Sequence, residues 1–330
     1  MTIEIVAVDI GGTNARFARA RVAPGAPPEL GTVRAYRVAD HAGLAGAWDA
    51  FARAEGTTLP ERAVIAIAAP ITDTPMKLTN SPWIVDPSTL GKDLGLADFA
   101  LINDFAAMAH GVAALPRDRL DPLFGPDSGL PDHGIVTVAG PGTGLGVAMV
   151  ATGGGNVDIG PRVFATEGGH IGFAPFDAAE DHLLATVRRR YSRVSAERIV
   201  SGPGLANIRR ALAEDAGVEA PELDDAELWK LALSGGEALA GDALAQLCRS
   251  YGSVAGDLAL AHLAGAVVLT GGLTARMKDH PAFAGFGERF VAKGRYRALL
   301  ETVPVYHAGH PELGLYGAAA AGKALIATGG

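Results

Sequence analysis

The sequence predicts an α/β protein of two domains, organised around a duplicated strand–glycine turn–strand unit. Three observations predict it. First, the stretch Ile5–Phe17 is apolar through Val6, Val8 and Ile10, carries Asp9 near its end, and turns at Gly11-Gly12-Thr13-Asn14. A run rich in Val and Ile reads as a buried strand, and paired glycines permit a tight turn and a close backbone approach. Second, Val136–Ala148 repeats the pattern without a gap, so that Val6 falls on Val136, Val8 on Val138, Gly12 on Gly142, Thr13 on Thr143 and Ala18 on Ala148. Two such units, each opening one half of the chain, suggest a duplicated architecture. Third, apolar strands alternate with helix-length segments along 330 residues, the pattern of layered α/β domains at a length that suits about two of them.

Taken in order, each element carries its own argument. A buried carboxylate without a partner is costly, so Asp9 faces a cleft, a cation or strong donors. Thr13 and Asn14 supply donors where an anion could sit, although an ordinary β-turn is the local alternative. Ala15–Val22 reads as a second strand, even though Arg16, Arg19 and Arg21 do not share one face. A helix start here is disfavoured, because there is no capping box and Pro24-Gly25-Ala26-Pro27-Pro28 follows. Neither G-x-G-x-x-G nor G-x-x-x-x-G-K-[ST] occurs, so a strand–turn–strand phosphate loop fits better than a Rossmann or P-loop site. Leu44–Ala54 reads as a helix stopped by Gly56, and Arg62–Ala69 as a buried strand ending at Pro70. Leu78-Thr79-Asn80 leads into the loop Ser81-Pro82-Trp83. Phe99–Ile102 is a short strand that runs into Asn103-Asp104 ahead of a helix over Phe105–Leu115. Asp104 has two readings, a helix N-cap and a carboxylate at the ligand-binding edge of a sheet, and the two are compatible.

In the second half, Gly140-Pro141-Gly142-Thr143-Gly144-Leu145-Gly146 supplies the second turn. Two Gly-Thr turns facing each other across a cleft would hold a nucleotide's phosphates with backbone N–H groups. Mg²⁺ near Asp9, with water between, would offset the charge. Ala266–Leu269 then runs into Thr270-Gly271-Gly272-Leu273, a third glycine turn suited to carry base and ribose. Thr166-Glu167-Gly168-Gly169-His170 is either a plain glycine loop or a place where Glu167 and His170 hydrogen-bond a polyol. Glu197 reads locally as a surface partner of Arg198. Zinc is disfavoured, because His170 lacks an H-E-x-x-H partner and Cys248 is the single cysteine. Ser201-Gly202-Pro203-Gly204 starts a helix to about Ala213, with Ser201 or Gly202 as cap and Pro203 in the first turn. Further helices are expected over Asp224–Leu233, Glu237–Leu263 and Leu315–Ala327.

Composition excludes several function classes. A net charge of −8 and the absence of a basic patch argue against a nucleic-acid partner. Arg188-Arg189-Arg190, the one basic run, reads as a solvated helix end. Met1-Thr2-Ile3-Glu4 has no signal-peptide pattern, and no apolar run reaches membrane-spanning length, so the reading is a cytoplasmic protein without a membrane partner.

Together these segments resemble the bacterial glucokinases of the non-zinc type, in the hexokinase–actin–heat-shock ATPase superfamily. The carrying motifs are Asp9-Ile10-Gly11-Gly12-Thr13-Asn14-Ala15-Arg16, Ile102-Asn103-Asp104-Phe105, Gly142-Thr143-Gly144-Leu145-Gly146, Glu167-Gly168-Gly169-His170, Ser195-Ala196-Glu197-Arg198, Ser201-Gly202-Pro203-Gly204 and Thr270-Gly271-Gly272. The related ROK sugar kinases usually carry a cysteine-rich zinc motif, from which this chain departs. The resemblance implies an actin-like ATPase (ribonuclease H-like) fold, with a small domain over 1–114 plus 311–330 and a large one over 115–310 closing on a cleft. It implies transfer of the ATP γ-phosphate to the 6-hydroxyl of glucose, with Asp104 as general base and Asn80, Asn103, Asp104, Glu167, His170 and Glu197 contacting the sugar. ATP would lie on Asp9, Gly11, Gly12, Thr13, Asn14, Gly142, Thr143 and Gly144, its adenine near Gly271-Gly272 and Gly202–Gly204, with Mg²⁺ at Asp9. A homodimer is also implied. Three alternatives compete: a kinase for mannose, an N-acetylated hexosamine or another hexose; a non-catalytic sugar sensor; and an actin-like filament protein. A sensor needs neither a base nor phosphate loops, and a filament protein gives no reason for the Glu–Gly–Gly–His element.

Overall fold

The computed structural model describes residues 2–153 and 161–327. In chain order the strands and α-helices of the first part are β1 (Ile3–Ile10), β2 (Asn14–Val22), β3 (Glu29–Leu30), β4 (Arg34–Arg37), α1 (Leu44–Glu55), β5 (Arg62–Ile67), β6 (Met76–Lys77), β7 (Ile84–Val85), α2 (Pro87–Leu94), β8 (Asp98–Asn103) and α3 (Asp104–Ala114). Then come β9 (Leu120–Phe124), β10 (Gly134–Pro141), β11 (Leu145–Thr152), β12 (Arg162–Thr166), α4 (Ala178–Arg190), α5 (Gly202–Ala216), α6 (Asp225–Ser234) and α7 (Ala238–His262). The chain finishes with β13 (Ala266–Leu269), α8 (Gly271–Met277), α9 (Ala284–Phe290), α10 (Arg297–Leu300), β14 (Val305–Ala308), α11 (Leu313–Ala321) and α12 (Lys323–Ala327). Two compact units divide it: the described residues of 1–119, 150–165 and 310–330 form the first, and those of 120–149 and 166–309 the second.

The first unit is built on a sheet of order β3-β2-β1-β5-β8, with β4 also paired to β2. β1 is central, antiparallel to β2 and parallel to β5, which explains why its apolar run is nearly continuous rather than alternating. Its two faces still sort by parity. Val6, Val8 and Ile10 join Phe17, Trp48 and Phe51, and α2 adds Leu90 and Leu94 to the same core. Ile3, Ile5 and Ala7 point the other way, onto Ala107 of α3 and Leu315, Ala318 and Ala319 of α11. Helices therefore cover both sheet faces, and Asp9 continues the odd series onto the α11 side. α3 and α11 approach closely through glycine: a Cβ on Gly317 would strike the Ala107 carbonyl, and one on Gly111 would lie 2.7 Å from Leu313. The apolar C-terminal segment is not one helix over Leu315–Ala327, because Gly322 separates α11 from α12.

A second sheet runs β12-β11-β10-β13-β14-β9. β10, β13 and β14 are parallel, and β9 is an antiparallel edge strand that tolerates Pro122. In the second unit α7 presents Leu244, Leu247, Cys248, Tyr251, Ala255 and Leu258 at helical spacing to a core with Leu205, Ile208, Phe286, Phe290, Val267 and Leu269. The basic run ends α4 with all three arginines exposed, as a solvated helix end should be. Among the described residues no helix is long and apolar enough to cross a membrane.

Candidate active site

In the first unit the parallel strands deliver carboxylates to one edge of the sheet. β1 ends at the turn Gly11-Gly12-Thr13, where the Gly11 N–H donates to the Asn14 carbonyl at 3.0 Å. Counting outward from this turn pairs Asp9 with Arg16 on β2. The Arg16 guanidinium sits 4.0 Å from the Asp9 carboxylate and bonds Glu312, just ahead of α11, at 3.1 Å. Gly314 leaves room for Asp9, since a Cβ there would lie 2.8 Å from Asp9 Oδ2. The Asp9 side chain keeps one fifth of its surface exposed. Burial pushes its carboxyl up from 3.8 to about 6; Arg16 opposes this, and the negative charges of Asp104 and Glu312 add to it.

β8, parallel to β5, ends at Asn103. The N-cap of α3 is Asn103 and not Asp104: Asn103 Oδ1 accepts the N–H groups of Phe105 and Ala106 at 2.9 and 3.1 Å, and Asn103 Nδ2 donates to the Ala69 carbonyl at 3.4 Å. Asp104 is instead the first helical residue, with Oδ1 accepting the Phe105 N–H at 2.8 Å. Its backbone thus stands at the positive end of α3, and its carboxylate at the carboxyl edge of the sheet. Asn80 adopts a left-handed conformation at φ 55°, which asparagine tolerates better than most residues. Its carbonyl packs against Gly12, where a Cβ would meet it at 2.9 Å. The structure therefore gathers Asp9, Gly11, Gly12, Thr13, Asn14 and Asn80 around the first turn, and brings Asp104 within electrostatic reach of Asp9.

In the second unit the same backbone task is done without a strand-borne carboxylate. Gly142-Thr143-Gly144 joins β10 to β11, with the Gly142 N–H donating to the Gly144 carbonyl at 2.7 Å. The Gly142 carbonyl accepts the Gly202 N–H at 2.8 Å, and Ser201 Oγ caps α5 by accepting the Gly204 N–H at 3.2 Å. Gly271 adopts φ +87°, a conformation that suits glycine, against the Pro141 carbonyl. All three glycine elements expected on the nucleotide side, Gly142–Gly144, Gly202–Gly204 and Gly271-Gly272, therefore converge.

The polyol candidates meet beside them. Gly168–His170 forms a short 3₁₀ turn, and Glu167 and His170 face solvent 3.8 Å apart. The chain then pairs with the segment before Glu197: the Ala196 N–H donates to the Ile171 carbonyl at 2.8 Å and the Phe173 N–H to the Val194 carbonyl at 3.1 Å. Glu197 does not pair with Arg198. Its Oε2 accepts the Leu145 N–H at 3.1 Å, a charge-assisted bond to the far side of the Gly144 turn, while Arg198 lies over the Tyr191 ring at 4.2 Å. Gly144 has to be glycine for this, because a Cβ would strike the Glu197 carboxylate.

Sequence reasoning missed Glu312 and gave Arg16 no role; the hairpin count from Gly11–Thr13 would have found the second, and nothing local signals the first. Among the described residues no group of three or more His, Cys, Asp or Glu side chains is arranged to hold a metal ion.

The comparisons with known proteins agree in covering nearly the whole chain. The glucokinase family model matches residues 6–325. A glucokinase of Zymomonas mobilis is 48% identical over 329 residues, spanning 97% of each chain. A glucokinase from an Antarctic psychrotroph, known as a crystal structure, matches with a TM-score of 0.84 at 32% identity, over 96% of this chain and 98% of its own. A glucokinase from Balamuthia mandrillaris, solved in complex with glucose, shares the fold with a TM-score of 0.79 at 23% identity, over 97% and 93% of the two chains. With carboxylates at the strand ends of one unit, converging glycine turns in the other and full-length matches of this strength, the chain belongs to the glucokinase family, with its actin-like ATPase fold, and is an ATP-dependent hexose kinase.

Proposed function

We propose the following division of labour as this chain transfers the ATP γ-phosphate to the 6-hydroxyl of glucose. Asp104 accepts the hydroxyl proton as the oxygen attacks, a role that suits a carboxylate on a rigid helix start at the sheet edge. Asn80, Asn103, Glu167, His170 and Glu197 hold the ring hydroxyls and aim O6. The glycine turns at Gly11–Asn14 and Gly142–Gly144 offer N–H groups to the phosphates, and Gly271-Gly272 carries the adenine side. Phosphoryl transfer depends mainly on such positioning and on charge stabilisation. Closure of the small domain, residues 1–114 with 311–330, on the large one would exclude water as a competing acceptor.

Mg²⁺ fits these residues in one way. It is commonly bound through one or two carboxylates, phosphates and retained waters, so the single carboxylate of Asp9 suits a water-mediated contact and a full protein cage is not required. When bound with ATP it offsets charge on the phosphates. Asp9 then supplies the fixed negative charge, with Arg16 beside it as counter-ion and Glu312 holding the Arg16 guanidinium from the other side. We also propose that the protein is a cytoplasmic homodimer whose product feeds glycolysis.

The observation that carries the mechanism is Asp104 standing first in α3 at the end of β8, in a chain that the glucokinase family model matches over residues 6–325. ADP release from Mg-ATP across a hexose panel tests the substrate: turnover with glucose above mannose and N-acetylated hexosamines is expected. Faster turnover with another hexose would keep the mechanism and replace the sugar. Sugar-dependent thermal stabilisation without ADP release would mark a sensor.

A further inference from the structure

A buried polar network lies beneath the two glycine turns of the second unit, and its key member takes no part in the mechanism above. Tyr251 of α7 is fully buried. Its hydroxyl lies 3.3 Å from the carbonyl of Ala139, in β10 just ahead of the Gly142 turn. It also lies 3.2 Å from Thr274 Oγ1, on α8 just after Gly271-Gly272. The Thr274 hydroxyl donates to the Thr270 carbonyl at 2.8 Å, and the Thr270 N–H donates to the Ala139 carbonyl at 2.9 Å.

Proton counting assigns the direction of these bonds. A threonine hydroxyl carries one proton, and that of Thr274 goes to the Thr270 carbonyl. At the remaining contacts the phenol must therefore be the donor, its proton shared between Thr274 Oγ1 and the Ala139 carbonyl. Burial pushes the Tyr251 titration up, so the phenol keeps this proton throughout the working pH range. Packing alone does not call for the hydroxyl. The ring stands edge-on to Phe286 at 5.2 Å in a cluster with Phe283 and Phe290, where phenylalanine would serve as well. What the hydroxyl adds is a tie from the longest helix to the roots of two turns.

We infer that Tyr251 is a positioning residue, with Thr274, that sets the Gly142–Gly144 turn against the Gly271-Gly272 turn and so sets the affinity for ATP. The inference rests on the assignment of those turns to ATP. β13 is only four residues long, so few ladder bonds hold the second turn, and the phenol fixes α8 from below. Sugar-binding residues on the Gly168–His170 turn are not part of this network, and Glu197 meets the Gly142–Gly144 turn at Leu145, on the β11 side, whereas Tyr251 holds it at Ala139, on the β10 side.

The test is steady-state kinetics of the full chain with both substrates varied. Tyr251→Phe and Thr274→Val should each raise KM for ATP about three- to tenfold, the worth of one buried hydrogen bond, and leave KM for glucose within about twofold. Thr274→Ser, which keeps the hydroxyl, should restore the wild-type value, so the threonine pair alone reads the network should Tyr251→Phe fail to fold. Gly142→Val, placed in open space at the turn itself, probes the assignment separately by obstructing the phosphates. If Gly142→Val raises KM for ATP while Tyr251→Phe and Thr274→Val do not, the positioning role is overturned and the assignment stands. If none of the three raises it, both are overturned. Equal rises in both KM values, or a lower unfolding temperature with unchanged kinetics, would mark Tyr251 as a packing residue and overturn the inference.

Discussion

The two strand–glycine–strand turns do the same backbone work with different chemistry around them. At the first, the carboxylate belongs to the strand: Asp9 stands near the end of β1, paired across the hairpin with Arg16. At the second, Ala139 occupies the position that matches Asp9, and a carboxylate is imported from Glu197, 52 residues along the chain from the Leu145 N–H it accepts. The first arrangement places charge where a strand buried on both faces must carry it, so it is energetically expensive. The second satisfies its carboxylate with a backbone donor and leaves the turn itself neutral. A sequence repeat therefore reports a shared backbone, and the chemistry hung on it has to be found separately.

Replacing the strand-borne carboxylate should give the largest effect. Because burial holds the Asp9 carboxyl near 6 in the folded protein, above its ordinary 3.8, the folded state favours its neutral form. The stability this group contributes is complete below the lower value and is lost as pH rises through the upper one. Asp9→Asn should then stabilise the ligand-free protein at pH 7 by up to about 3 kcal/mol while abolishing efficient turnover. The advantage should shrink as pH falls from about 6 to about 4, as equilibrium unfolding at a series of pH values would record. A variant less stable than wild type at pH 7 would mean that the Arg16 pairing outweighs the burial of the charge.

The imported carboxylate should respond to its neighbours in a different way. Gly144→Ala drives a methyl group into the Glu197 carboxylate and should lower kcat/KM for glucose about a hundredfold, the usual result of a small misplacement in a binding site. Arg198→Ala should change it by no more than about twofold, because Arg198 lies on Tyr191 and not on Glu197. A large loss in the arginine variant, with a small one in the glycine variant, would reverse the assignment of the Glu197 partner.

Much of the fold is written in local signals. Strand β1 announces itself by its apolar run, Gly56 closes α1 in the left-handed conformation, and Ser201 with Pro203 opens α5. The cap of α3 misleads because asparagine and aspartate are both good caps and stand side by side; the structure chooses Asn103. α4 leaves little periodic trace, because Glu180, a charged residue, is among its most buried, held by Gln246 at 2.7 Å and by the Phe176 N–H at 2.8 Å. The site divides in the same way. Asp9, Asp104 and the glycine turns follow from strand ends and turn chemistry, which a local reading reaches. Glu312 and the Tyr251–Thr274 network depend on helices docking from distant sequence, and no local pattern encodes that docking. Glu197 lies between these cases: its motif is visible, but its partner Leu145 is set by tertiary contact alone.

The most direct measurement of the central claim is turnover and glucose binding of Asp104→Asn beside the wild type. The amide keeps the size of the side chain and an oxygen able to accept the Phe105 N–H, but it cannot take up the proton of the attacking hydroxyl. ADP release should fall by about 10²–10⁴, while glucose raises the unfolding temperature as it does for the wild type. Near-normal turnover in this variant would contradict the account and remove Asp104 as the base.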